Sequence, residues 1–320
     1  MNNFERIALF LIMVISISGC AQQGSEPYTS GSGCTGSLLV DGLERTYLIH
    51  VPSSYDGITP VPLVIALHGG GGSAQRMANL TGFDRLSEKE GFIVVYPEGI
   101  ENHWNDGREV EKYRAQREDI DDVKFISALI DHLTSELNID ETRIYATGIS
   151  NGAMMSCRLA CELSEKIAAI AMVAGAMPEG FKRAGECSPQ NPVSVLVING
   201  TEDPLVLWEG GEIQVGQQKL GKTFSVPEIV QYWVAYNGCA LVDTTWLPDG
   251  DFEDGTHVFR EVYRNDRGCE VILYRIEGGG HTWPGGPQYL SERFIGKTCY
   301  DINASEVIWQ FFTEHVRMAG

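Results

Sequence analysis

The pentapeptide Gly148-Ile149-Ser150-Asn151-Gly152 sets a serine between two glycines. The strand-like Arg143-Ile144-Tyr145-Ala146-Thr147 precedes it, and the helix-like Ala153-Met154-Met155-Ser156-Cys157-Arg158-Leu159 follows. A sharp strand-to-helix turn lifts a hydroxyl above a sheet, and the glycines keep side chains out of the bend. A free serine hydroxyl is a weak nucleophile. Ser150 therefore calls for a base, a carboxylate to orient that base, and donors for a developing oxyanion.

Of the seven histidines, only His257, His281 and His315 follow Ser150. His281 stands in the glycine-lined loop Glu277–Gly286, just past the strand-like Val271–Ile276, where an imidazole can swing toward a nucleophile. His257 lies in an acidic, turn-rich stretch and His315 in a C-terminal helical pattern, so both read as surface or packing residues. The apolar run Val193–Ile198 ends in Asn199-Gly200-Thr201-Glu202-Asp203-Pro204. Functional carboxylates in open α/β sheets gather at such strand ends, and Asp203, stiffened by the following proline, is a better candidate than Glu202. The oxyanion donors expected are the amide of Asn151 and that of Gly70 or Gly71, in His68-Gly69-Gly70-Gly71-Gly72 after the strand-like Pro62–Leu67. His68 is then a positioning residue. A phosphate cradle is a poorer reading, because no Lys-Ser/Thr pair follows the glycines.

The elements that must hold these residues read as alternating strands and helices. Leu63–Leu67, Phe92–Tyr96, Arg143–Thr147, Ile167–Val173, Val193–Ile198 and Val271–Ile276 have strand character, while Asp119–Leu137, Pro227–Asn237 and Ser305–Arg317 have helical character. Such alternation predicts a mostly parallel sheet covered by helices on both faces. Asp121 and Asp122 fall in the first turn of the long helix, where carboxylates favour the positive dipole end.

Five motifs together resemble the secreted polyhydroxybutyrate-depolymerase-like esterases, a group that includes feruloyl and acetylxylan esterases. They are the His68-Gly69-Gly70-Gly71 stretch, Asp121-Asp122-Val123, Gly148–Met155, Gly200-Thr201-Glu202-Asp203-Pro204 and Gly279-Gly280-His281-Thr282-Trp283-Pro284-Gly285. The resemblance runs from about Gly36 to the C-terminus. It implies an α/β-hydrolase fold and a triad of Ser150, Asp203 and His281, the positions reached from the residues themselves, and it brings the Asp121-Asp122 turn near the active site. It is specific for the family and not for the substrate. Many relatives carry a cysteine where this chain has Gly70, which leaves one disulfide arrangement open. Feruloyl or acetyl esters of plant-type polysaccharides are the first substrates expected, polyhydroxyalkanoates the second. A non-catalytic, surface-anchored polymer-binding protein is the reading from a different class.

Residues 1–19 read as a lipoprotein signal peptide. Ile7–Ile17 is apolar almost without break, too short for a permanent span, and ends in Ile17-Ser18-Gly19-Cys20, with Cys20 the expected lipidation site. An ordinary signal peptide cut near Ala21 would leave a freely secreted protein. Residues 20–33 form a Gly/Ser/Gln-rich tether reaching roughly 20 Å, and residues 34–320 suit one catalytic domain. The predicted location is extracytoplasmic, either anchored to a bacterial membrane or secreted. A net charge of −19 argues against nucleic acid and anionic lipid as partners and would repel polyuronates. The membrane is then engaged only through the anchor.

Eight cysteines agree with export. Cys239 with Cys269 would brace the strand that leads to His281, and Cys161 with Cys187 is a second plausible pair. No C-x-x-C and no histidine pair stands at ligand spacing, so neither a metal nor a cofactor is expected. Trp283, Trp104 and Trp208 lie near the loops of the base, an early strand end and the acid, and are the candidates for substrate contact, with core or rim packing the better reading for Trp104 and Trp208.

Overall fold

Residues 61–67 supply the pattern from which the architecture follows. Leu63, Ile65 and Leu67 enter one buried cluster, whereas Val64 and Ala66 enter another. Alternation sends successive side chains to opposite faces, so a strand apolar throughout must be covered on both sides. The computed structural model describes residues 34–180 and 187–317. The signal peptide, the tether and Cys20 lie outside the described residues.

The strands are β1 (Cys34–Val40), β2 (Leu43–His50), β3 (Val61–Leu67), β4 (Ile93–Pro97), β5 (Ile139–Ile149) and β6 (Ala169–Val173). They continue as β7 (Ser194–Gly200), β8 (Gly211–Val215), β9 (Gln218–Thr223), β10 (Ala240–Trp246), β11 (His257–Arg264) and β12 (Glu270–Glu277). Ten form one sheet in the order β1-β2-β4-β3-β5-β6-β7-β12-β11-β10, and β8 with β9 makes a separate hairpin. From β4 to β12 all neighbours are parallel, with antiparallel pairs at both edges. This is the predicted mostly parallel sheet, extended by edge strands that the apolar runs did not reveal.

Among the described residues six helices supply the covering layers. On the face of Leu63 and Ile65 lie α4 (Asp122–Glu136), α5 (Asn151–Glu162) and α6 (Val226–Asn237). The other face is covered by α1 (Ala74–Thr81), α2 (Phe83–Glu90) and α8 (Ala304–Thr313). The short helices α3 (Arg114–Arg117) and α7 (Glu292–Ile295) sit in loops above the strand ends. Capping sets several boundaries. Asp121 caps α4 by accepting from the Lys124 amide, and Ser225 with Glu228 forms a capping box on α6. Among the described residues no helix is long and apolar enough to cross a membrane.

The cysteines divide. Cys161 and Cys187 are joined by a disulfide, as expected. Cys239 and Cys269 are not: both are thiols, and Cys239 Sγ donates to the Cys269 carbonyl at 3.3 Å. The end of α6 is thus close enough to touch the start of β12, but contact replaces the expected bond.

Candidate active site

Ser150 stands between β5 and α5 at φ 57° and ψ −120°, a left-handed backbone that a non-glycine residue rarely adopts. The surrounding structure holds it there, with the Ser150 amide donating to Val173 O and Met154 N to Ser150 O. Close packing explains Gly152, since a Cβ there would stand 2.2 Å from the Leu67 carbonyl oxygen. The hydroxyl-bearing residue is half-buried and opens into a cavity of about 650 Å³.

Asp203 follows β7 and is almost wholly buried. Its Oδ1 accepts from the amides of Leu205 and Val206 at 2.8 and 2.9 Å, leaving Oδ2 for His281 Nδ1 at 2.7 Å. A carboxylate accepts only, so Nδ1 carries the proton and Nε2 presents its lone pair. The two loops are stitched together by Glu202 N to Gly279 O and by Gly278 N to Thr201 Oγ1. At this crossing a Cβ on Gly200 would lie 2.1 Å from Gly279 O. The Tyr289 hydroxyl donates to the His281 carbonyl at 2.7 Å, holding His281 through its backbone as well. Ser150 and His281 line the same cavity.

The glycine loop after β3 forms the adjoining wall. Gly71 N donates to Asn102 O at 2.9 Å and Gly72 N to Gly69 O. The Gly71 amide is therefore spent, which removes it from the pair of expected donors; no protein acceptor takes the Gly70 amide among the described residues. His68 lies beneath this loop. Its Nδ1 donates to Gly69 O at 2.8 Å and its Nε2 accepts from Gly99 N at 3.0 Å, which fixes a neutral tautomer. Burial pulls its pKa down to about 4.

Sequence reading took Trp104 from the loop after β4 but missed that loop's links to Asn151. Asn151 Oδ1 accepts from Trp104 N at 2.8 Å, while Nδ2 donates to Trp104 O and to Asp106 Oδ2 at 2.6 Å. Asp106 also binds the Arg108 guanidinium and Gln116 Nε2. Asp122 supports the same loop by accepting from Asn105 N at 2.7 Å and pairing with Arg45 at 2.6 Å. Its burial raises the carboxyl pKa against these partners. Asp122 is thus a buried strut near the site and Asp121 the helix cap.

The three tryptophans pack into or against the core, which departs from the substrate contact expected of Trp283 and agrees with the packing reading of Trp104 and Trp208. Trp104 is fully buried, its indole donating to His68 O at 2.9 Å. Trp283 is buried too, donating to Ser305 Oγ and packing edge-on against Phe83. Trp208 packs half-buried against the core. None lines the cavity, whose aromatic surfaces are Tyr113, Tyr289 and the imidazoles of His68, His103 and His281. An indole at a loop end satisfies its N–H by burial as readily as by solvent, and sequence does not tell the two apart.

A parallel sheet carrying a serine on a strained elbow, with a buried Asp–His pair on the same cavity, defines an α/β-hydrolase site. A family model described as esterase PHB depolymerase matches residues 46–205, and the chain belongs to that family. It is a serine-type carboxylic-ester hydrolase. Esterase NocK of Nocardia uniformis subsp. tsuyamanensis is 29% identical over 89% of this chain and 84% of its own. Feruloyl esterase B of Piromyces equi is 31% identical over 74% of this chain, which spans only 42% of that protein. Feruloyl esterase D of Neurospora crassa is 24% identical over 97% of both. Among solved structures, an acetyl xylan esterase from Aspergillus awamori superposes with a TM-score of 0.59 at 16% identity, covering 88% of this chain and all of that one.

Proposed function

We propose that Ser150 attacks an ester carbonyl, that His281 Nε2 takes its proton, and that Asp203 holds the imidazole tautomer and stabilises the imidazolium. The amides of Asn151 and Gly70 receive the oxyanion. His281 returns its proton to the leaving alcohol, and water activated by the same imidazole then releases the acid. The observation that carries this reading is the 2.7 Å Asp203–His281 contact, made on a cavity that Ser150 shares. Burial of the pair favours a preorganised site, since water would weaken the orienting bond.

The preferred substrates are feruloyl or acetyl esters of neutral plant-type polysaccharides. Two relatives named feruloyl esterases support this, as does a net charge of −19 that disfavours polyuronates. Polyhydroxyalkanoate hydrolysis is the second reading, favoured by the family's description and by the apolar wall of Leu205, Val206, Leu290 and Ile295. Export with a lipid on Cys20 rests on the apolar run and the Ile17-Ser18-Gly19-Cys20 box of the sequence.

Hydrolysis of p-nitrophenyl acetate by the parent and by Ser150→Ala tests the chemistry. Turnover lost by several orders of magnitude in a folded variant supports it. A folded parent without turnover would make the chain a polymer-binding protein on a hydrolase scaffold. Methyl ferulate against hydroxybutyrate oligomers then separates the two substrate classes.

A further inference from the structure

The cavity wall formed by the loop after β4 carries polar groups that the hydrolytic steps leave unused. His103 Nδ1 lies 2.9 Å from Glu101 O. A carbonyl can only accept, so Nδ1 bears the proton. Burial lowers the His103 pKa, with Arg108 and Lys112 acting in the same direction and the Glu101 bond and Asp106 opposing. The neutral ring then presents an Nε2 lone pair. Among the described residues no protein group donates to that atom, and the ring lines the cavity. Tyr113 stacks on it at 3.7 Å and 19°, fixing its plane.

The position of this lone pair is informative. Nε2 would be 3.3 Å from a Cβ built on Gly70, while Asn151 Cβ would be 3.8 Å from the same point. It therefore stands beside the two amides assigned to the oxyanion, within a few bonds of any carbonyl held there. Arg108 lines the same cavity. Its Nε is fixed to Asp106 at 2.8 Å and its Nη1 to the β9 carbonyl of Leu220 at 3.1 Å. Among the described residues Nη2 has no protein acceptor. A rigid donor and a rigid acceptor thus share one wall.

We propose that His103 and Arg108 form a hydroxyl-recognising subsite of the ester pocket. His103 Nε2 accepts from a hydroxyl on the substrate segment seated against it, and Arg108 donates to an oxygen of that segment. The assignment rests on the pocket being the ester site. Competing ligand chemistries fit less well. A cationic group would face Arg108 and Lys112, a carboxylate would meet the His103 lone pair, and an alkyl group would strip water from both polar atoms without replacing it. A hydroxyl serves both roles at once.

The test uses paired esters that differ by a hydroxyl, with one pair for each side of the scissile bond. Ethyl 3-hydroxybutanoate against ethyl butanoate probes the acyl side, and 2-hydroxypropyl acetate against propyl acetate probes the alcohol side. The parent enzyme is expected to favour the hydroxylated member of one pair by about 3- to 10-fold in kcat/KM, the scale of one neutral hydrogen bond. His103→Phe keeps the stack on Tyr113 but removes the acceptor, so the preference should fall to near unity. His103→Gln retains an acceptor and should restore part of it. A parent indifferent to the hydroxyl in both pairs overturns the subsite, as does a preference that survives in His103→Phe. Turnover of p-nitrophenyl acetate, run beside these, reports the ester chemistry by itself. If the parent cleaves none of the esters, the catalytic reading fails and the subsite fails with it.

Discussion

The side-chain amide of Asn151 donates to the Asp106 carboxylate at 2.6 Å, with both residues out of contact with solvent. Asn151 directly follows Ser150 and supplies the first amide of α5, so Asp106 fixes the residue whose N–H is proposed to receive the oxyanion. The same carboxylate neutralises Arg108, and Arg108 bonds to β9. One buried acid therefore ties the nucleophile's turn to the hairpin that walls the cavity.

Replacing that acid should hurt rate and stability together. Asp106→Ala leaves Arg108 as an uncompensated, largely buried cation and takes one acceptor each from Asn151 and Gln116, whose bonds to Trp104 O remain. Breaking a buried pair of this kind costs about 3–5 kcal/mol. With Asn151 held only by its two bonds to the Trp104 backbone, kcat should fall by about 10- to 100-fold while KM changes less. Thermal unfolding and steady-state kinetics on a short ester read both. An unchanged kcat in a folded variant would remove Asp106 from the positioning of the site.

Asp203→Asn isolates a different contribution. The amide keeps the size of the carboxylate but can donate to His281 Nδ1, favouring the wrong tautomer. The expected loss in kcat is about 10⁴-fold with little change in KM or in the unfolding midpoint. A fall of only a few-fold would show that another group orients His281.

The parallel core was legible because strands buried on both faces leave unbroken apolar runs, as Leu63–Leu67 and Val195–Ile198 do. The edges were not. β10 is exposed along nearly its whole length and carries no apolar run to read. The β1–β2 hairpin did leave a signal in Asp41-Gly42, both at positive φ, the two-residue turn that joins twisted strands. Ser150, Asp203 and His281 stood out because each sits just past a strand. His103 and Asp106 lie in a loop with no periodicity, and the contact that ties Asp106 to the serine turn reaches Asn151, far along the chain. Only tertiary structure brings such pairs together.

The unbridged thiols give a chemical prediction. Burial pushes the Cys157 and Cys239 thiols up to about 12. At pH 8 the thiolate fraction is then on the order of 10⁻⁴, and the thiolate is the reactive form. Iodoacetamide should leave both cysteines unmodified in the folded protein over a period in which it alkylates them fully in denaturant. Peptide mapping after labelling distinguishes them. Rapid native labelling of Cys239 would contradict its placement. Failure of Cys239 to label even when unfolded, until reduced, would mean that it is bridged to Cys269 after all.

The buried His68 predicts how the fold responds to acid. Its folded pKa is about 4, below the ordinary value of 6.5, with burial the principal cause and the Gly69 bond opposing. Because the native pKa is depressed, the unfolded chain binds this proton more tightly. The contribution of neutral His68 is therefore fully present above about pH 6.5 and is lost as the pH falls toward about 4, with no further change from this group below that. A shift of this size corresponds to about 3 kcal/mol. The consequence falls first on the site, because protonated Nε2 can no longer accept from Gly99 N and the glycine loop above it loses its support. Urea unfolding of the parent between pH 7 and pH 4 should show a stability decline that is reduced in His68→Gln, whose side chain does not titrate. Equal slopes in the two proteins would mean that His68 does not carry the acid sensitivity.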